Sequence, residues 1–211
     1  MTELVFILDR SGSMSGLEQD TIGGFNSMIR KQKQQAGAAL VSTVLFNNHC
    51  QVLHDRVPLE QVQPMTEHEY YACGTTALLD AIGGAIKHIG MVHKYARPED
   101  RPEKTLFVIT TDGLENASRK YTYDRVRQMI EHEKTKYGWE FLFLGANIDA
   151  AKEAQRFGIE ADRAADYHCD KQGTALNYEV IGDVVANVRA CRAMPNDWKA
   201  RIDADYQKRG K

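Results

Sequence analysis

The chain has 211 residues, 43% of them hydrophobic and 27% charged, with a formal net charge of −2. That length holds one domain with a substantial core, in a composition ordinary for a globular protein. The charge leaves no electrostatic footprint for nucleic acid or a membrane surface, and no apolar run reaches the roughly 18 residues of a membrane-spanning helix.

The pattern alternates from the start. Thr2 to Leu8, centred on Leu4-Val5-Phe6-Ile7-Leu8, is a continuous apolar run, as in a strand buried on both faces. No basic region or cleavage site precedes it, so no secretory leader is expected. A helix is predicted from about Leu17 to Gln35, with Phe25, Met28 and Ile29 on its inner stripe. Ala39 to Phe46 reads as a strand, Asn47-Asn48 as a turn, and Gln51 to Val57 as a strand returning in a hairpin. Pro58, Pro64 and Glu67 to Tyr71 form a connection.

Thr76 to about Lys94 is predicted helical, with Leu79, Ile82, Ile86 and Ile89 at helical spacing. Arg97 to Pro102 is a polar linker, and Thr105 to Thr110 a further apolar strand. A helix over about Thr122 to Lys136, a strand over Trp139 to Leu144 and a short helix over Ala150 to Phe157 follow. A weak strand near Ala164 to Tyr167 and a helix from Thr174 to Ala193 complete the pattern. Apolar strands separated by amphipathic helices specify an α/β fold: a doubly wound, mostly parallel sheet covered on both faces. The hairpin adds one antiparallel edge strand. Residues 1–194 are expected to form the domain, and 195–211 a polar tail, either a loose helix or a partly disordered end.

Cys50, Cys73, Cys169 and Cys191 are far apart and form no Cys-x-x-Cys pair. Free thiols in a reducing compartment are expected, with a disulfide or zinc site as the alternative. The expected location is the cytoplasm. The sequence carries no signal for an oligomeric state.

In open α/β sheets, ligands collect at the carboxyl ends of the strands, at the topological switch point. Three polar segments fall at such ends. The first strand exits into Asp9-Arg10-Ser11-Gly12-Ser13-Met14-Ser15, where Gly12 permits a tight turn between two hydroxyls. The strand from Thr105 exits into Thr110-Thr111-Asp112-Gly113, again a carboxylate followed by a glycine. Gly74-Thr75-Thr76 places a hydroxyl at a helix start. Carboxylates and hydroxyls are hard oxygen ligands, suited to Mg²⁺, Mn²⁺ or Ca²⁺ rather than zinc or copper. Carboxylates buried side by side without a cation would be costly.

Asp9-x-Ser11-x-Ser13, then Gly74-Thr75-Thr76-x-Leu78-x-Asp80-Ala81-Ile82, then Thr111-Asp112-Gly113 resemble the metal-ion-dependent adhesion site of von Willebrand factor A domains. The resemblance is to stand-alone bacterial members, and integrin inserted domains share the motif. It implies that Ser11, Ser13 and Thr76 touch the metal directly and that Asp9 and Asp112 hold it mainly through coordinated waters. Thr76 is taken rather than Thr75 because it stands four residues before Asp80, as the family threonine does. With mostly neutral direct ligands the cation, most simply Mg²⁺, keeps much of its charge and retains waters. A partner protein's Asp or Glu then displaces one water. The function expected from the resemblance is a metal-dependent protein-interaction module with an acidic partner side chain, not an enzyme.

The alternative is an Mg²⁺-dependent enzyme acting on a phosphate-containing substrate. Asp9 could serve a phosphotransferase as nucleophile, but Ser11 stands where its second carboxylate would be. Gly12 to Gly16 lacks the spacing of a serine-hydrolase elbow, and no phosphate loop or dinucleotide fingerprint appears. Asp9, Ser13 and Ser15 could also be plain helix caps. Glu115 and Asn116 could line the site's rim or form an ordinary polar loop. Tyr70, Tyr71, Tyr121 and Tyr123 could serve an interface or the core. His88 and His93 lie five apart on a helix and do not share a face as metal ligands would, and His49 and His54 are expected at the surface.

Overall fold

Six strands form one sheet in the order β3-β2-β1-β4-β5-β6 in the computed structural model, which describes residues 1–210. They are β1 (Thr2–Asp9), β2 (Ala39–Phe46), β3 (Cys50–Pro58), β4 (Lys104–Thr111), β5 (Glu140–Ala146) and β6 (Ala164–Tyr167). All neighbours run parallel except β2 and β3, the expected hairpin at one edge. The helices are α1 (Glu18–Lys33), α2 (Leu78–Tyr95), α3 (Tyr123–Tyr137), α4 (Ala150–Arg156), α5 (Lys171–Arg189) and α6 (Ala200–Arg209). None is long and apolar enough to cross a membrane among the described residues.

The period of two along β1 explains the three layers. Leu4, Phe6 and Leu8 point into one core with Phe25 and Met28 of α1 and Ile181, Val184 and Val185 of α5. Val5 and Ile7 point into the other, against Ile82 and Ile86 of α2 and Val126 and Ile130 of α3. Both faces are covered, so these strands carry no polar alternation. From β1 the chain winds to β2 on one side and later to β4 on the other. The switch point therefore lies between the carboxyl ends of β1 and β4, where Asp9 and Asp112 stand.

Three stretches hold features that the residue pattern does not set. In the connection after β3, Leu59, Val62, Met65 and Tyr70 are buried in the α1 core. His54 is buried rather than superficial. It lies over the Phe25 ring and meets Thr43 Oγ1 at 3.0 Å and the Gln63 carbonyl at 3.1 Å, where the β2–β3 register shifts. The final segment, polar in composition, folds back as α6. Met194, Trp198 and Ile202 enter the α5 core, and the Trp198 indole donates to the Asp162 carbonyl at 2.7 Å.

At the opposite pole from the switch point, Arg189 at the end of α5 clasps the end of α1. Its guanidinium donates to the carbonyls of Gln32 at 2.6 Å, Gln35 at 3.1 Å and Gly37 at 2.5 Å.

Trp198→Ala should lower the unfolding free energy in urea by about 3 kcal/mol, the cost of a truncated core aromatic. A loss below about 0.5 kcal/mol, the range of surface substitutions, would detach the final segment from the core. His54 supplies a pH test. Burial pushes its imidazole below the ordinary value, so the fold favours the neutral ring. Its contribution is complete above the unfolded value of about 6.5 and is lost as pH falls below it, because the unfolded chain takes up the proton first. Denaturation midpoints between neutral and mildly acidic pH should fall less steeply for His54→Gln than for the parent. Parallel slopes would remove His54 from the response.

Candidate metal centre

The site is built by bonds that close three loops on one another. Arg10 N donates to the Phe46 carbonyl at 2.8 Å, which carries the β1–β2 pairing one residue past Asp9. The loop before α2 is then fastened to the first loop by Gly12 N to the Gly74 carbonyl at 3.0 Å and Cys73 N to the Arg10 carbonyl at 2.9 Å. Gly74 has φ +76°, and a side chain there would strike the Asn48 amide. This turn requires glycine for conformation and for space. The loop after β4 is fastened in turn by a reciprocal pair: Thr76 N donates to Asn116 Oδ1 at 2.9 Å, and Asn116 N to the Thr76 carbonyl at 3.0 Å.

These bonds bring the five sequence-predicted residues together. Asp9 Oδ1 accepts Ser11 N at 2.7 Å. Ser11 Oγ and Ser13 Oγ are 3.1 Å apart, and Ser13 Oγ donates to Asp112 Oδ1 at 2.6 Å. A Cβ on Gly113 would stand 3.7 Å from Thr76 Oγ1 and 3.8 Å from Ser13 Oγ, so the threonine hydroxyl faces the same space as the serine. Asp9, Ser11, Thr76 and Asp112 are buried, whereas Ser13 is exposed. The cluster thus opens to solvent on its serine side.

The electrostatics are unfavourable to a bare carboxylate pair. Burial pushes both Asp9 and Asp112 above the ordinary carboxylate range. Bonds from Thr111 and Ser11 to Asp9, and from Ser13 and Cys169 to Asp112, oppose that rise, while the Asp112 charge adds to it at Asp9. A divalent cation among these oxygens would offset the same burial cost. The donors are two carboxylates and three hydroxyls, a hard set with no thiolate or imidazole, which fits Mg²⁺ or Mn²⁺.

Several supporting residues have no motif to announce them. Thr111 Oγ1 donates to Asp9 Oδ2 at 2.6 Å, linking the ends of β1 and β4. The wholly buried Tyr70 donates its hydroxyl to the Asp9 carbonyl at 2.5 Å. Cys169, just beyond β6, has its Sγ 3.8 Å from Asp112 Oδ2. Burial and then the Asp112 charge push its thiol up to about 12.

The four tyrosines divide. Tyr70 is core, and Tyr71 is half exposed beneath the Arg10 guanidinium at 5.0 Å. Tyr121 fills the space beside Gly83 of α2, and Tyr123 stacks on Phe157. Glu115 faces away from the rim. It accepts Leu79 N at the start of α2 at 2.9 Å and Ser118 N at 2.7 Å. Asp80 answers by accepting Arg119 N, Lys120 N and Tyr121 N at 3.0, 2.8 and 3.0 Å.

No protein-family model and no curated protein matches the chain. Solved structures do. Proximal thread matrix protein 1 from the mussel byssus is 11% identical with a TM-score of 0.59, the match covering 88% of this chain and 46% of that one. A von Willebrand factor type A protein from Catenulispora acidiphila is 13% identical with a TM-score of 0.59, covering 88% and 42%. The von Willebrand factor domain of the type V pili tip protein Mfa5 from Porphyromonas gingivalis is 10% identical with a TM-score of 0.61, covering 87% and 94%. The chain thus corresponds to less than half the length of the first two. The mussel protein has also been solved with a zinc-occupied MIDAS motif, the metal-ion-dependent adhesion site. The likeness is one of architecture: this chain has the von Willebrand factor A fold.

Asp80→Ala should release the segment that its carboxylate holds. We expect a stability loss of about 2 kcal/mol, as for hydrogen bonds to a charged acceptor. Trypsin should also nick faster after Arg119 and Lys120. Unchanged cleavage at those two bonds would show that the loop is held without Asp80.

Proposed function

We propose that this chain is a divalent-cation-dependent protein-interaction module whose cation is held by Asp9, Ser11, Ser13, Thr76 and Asp112. The observation that carries the reading is the 2.6 Å bond between Ser13 Oγ and Asp112 Oδ1, which joins loops nearly a hundred residues apart around a cluster of hard oxygens. Mg²⁺ is the proposed ion, with Mn²⁺ or Ca²⁺ as substitutes. When bound, the cation supplies a positive charge on which a partner's Asp or Glu carboxylate can dock.

The chain's own residues prepare that role. Thr111 and Ser11 N orient the Asp9 carboxylate, and Tyr70 fixes the backbone beneath it. Asn116 holds Thr76 at the end of its loop. Exposed Ser13 leaves the cluster reachable from outside. We read the module as binding rather than catalytic, because the polar groups around the two carboxylates are spent on holding one another and the loop backbone. We also propose that it works in the cytoplasm, where its four unpaired cysteines would stay reduced.

Calorimetric titration of Mn²⁺ and Mg²⁺ into metal-stripped protein should show one site per chain. Asp112→Ala should weaken it by at least about a hundredfold, the loss of one charged ligand worth about 3 kcal/mol. Thr111→Val, which loosens Asp9 without removing a ligand, should weaken it less. No uptake of either ion by the parent protein would overturn the metal site and the docking role built on it.

A further inference from the structure

On the flank of the domain, α2 and α3 diverge over the second core and leave a groove of about 1090 Å³. Lys87, Lys94, Arg101, Lys120 and Arg125 line it. Among the described residues, no carboxylate lies within ion-pair distance of any of them. In a chain of net charge −2, these unpaired cations gather along one furrow. Of the acids at the same place, Glu103 pairs with the N-terminal amine at 3.0 Å, and Glu133 Oε1 lies 3.2 Å from the His132 ring nitrogen.

Between the cations the lining is apolar. Met91 and Tyr137 are half exposed, Met129 is partly buried, and Trp139 is buried at the floor. Thioether and aromatic side chains adapt to apolar partners and are enriched in interfaces. The floor is opened by Gly90, where a side chain would approach Glu133 Oε1 and the Trp139 ring. Glu133 Oε2 is buried there without a hydrogen-bond partner.

We infer that the α2–α3 groove docks an acidic amphipathic helix of a protein partner. Its apolar stripe would lie on Met91, Met129, Tyr137 and Trp139, and its carboxylates would face the unpaired cations on both banks. A trough between two helices with an apolar floor is the geometry of helix-in-groove recognition. A polynucleotide fits less well, because the thioether and aromatic surface of Met91, Met129, Tyr137 and Trp139 between the cations matches an apolar helix stripe and not a phosphate backbone.

The surface goes beyond the metal-docking reading and does not depend on it. The two do adjoin: Lys87, Lys120 and Tyr121 also border a cleft of about 990 Å³ that reaches Thr75 and Asn116 beside the metal loops.

Fluorescence anisotropy tests the proposal with three labelled probes: a helical peptide of Glu and Leu with Leu at helical spacing, its Gln-for-Glu counterpart, and a single-stranded oligonucleotide. The Glu/Leu peptide should bind, and bind at least about tenfold more tightly than the Gln/Leu peptide. Its affinity should fall with added salt. Lys87→Glu combined with Arg125→Glu should weaken it by at least about tenfold, with the melting curve as a check on folding. Lys94→Glu with Lys120→Glu is a second reversal should the first pair fail to fold. Affinity should be unchanged by EDTA and by Asp112→Ala.

Equal binding of the two peptides, no binding of either, or tighter binding of the oligonucleotide would overturn the proposal. Binding abolished by EDTA would also overturn it, by assigning the peptide to the metal centre. Persistence in EDTA while the calorimetric titration fails would leave the groove standing and the metal reading fallen.

Discussion

The hydroxyl of Thr111 reaches across from β4 to the Asp9 carboxylate of β1 at the point where the sheet changes its direction of winding. Parallel neighbours at a switch point send their connections opposite ways and leave a crevice between their carboxyl ends. In this chain each of those ends is acidic, and burial disfavours charge on both. The acids stay ordered because the loop after β1 and the end of β4 supply donors: Ser11 N and Thr111 to Asp9, Ser13 to Asp112. The Gly12–Gly74 bond, the Thr76–Asn116 pair and the bonds accepted by Asp80 and Glu115 hold the surrounding loops against one another.

Much of this architecture is legible from residue pattern alone. A run such as Leu4-Val5-Phe6-Ile7-Leu8 has no polar face, so it can only be a strand covered on both sides, and its repetition after helical segments forces a parallel sheet. The hairpin is legible in Asn47-Asn48, where two polar turn residues interrupt β-branched and aromatic runs. Helix ends are less legible. α5 starts at Lys171 because Asp170 accepts Gly173 N, a cap hidden within the polar stretch before the apolar stripe.

The metal loops are legible because their chemistry is local: oxygen-bearing side chains at fixed intervals after a strand. The groups that position them are not, since each is a long-range partner with an unremarkable neighbourhood. Tyr70 sits in a polar connection, yet three aliphatic residues of that connection carry it into the core beneath Asp9. Cys169 follows β6, two strands away from β4 in the sheet, and meets Asp112 only in the folded chain. His54 reads as polar on an edge strand, but the register shift at Thr43 turns it under the Phe25 ring. In the last segment, charged residues mask the few side chains that bind: Trp198 and Ile202 are set among Asp, Lys and Arg, and their burial depends on α5 offering a surface.

The Arg189 clasp has a consequence for how the molecule breathes. Carbonyls at the end of a helix normally fray singly, each losing little when water takes its place. Here one guanidinium is shared between the Gln32 carbonyl in the last turn of α1 and the Gln35 and Gly37 carbonyls just beyond it, and it belongs to the last turn of α5, while Gln32 returns a bond to the Gly182 carbonyl at 2.9 Å. Neither helix end can loosen without the other. The two behave as one cooperative opening unit, which ties the α1–α5 face of the sheet together at the pole away from the metal loops.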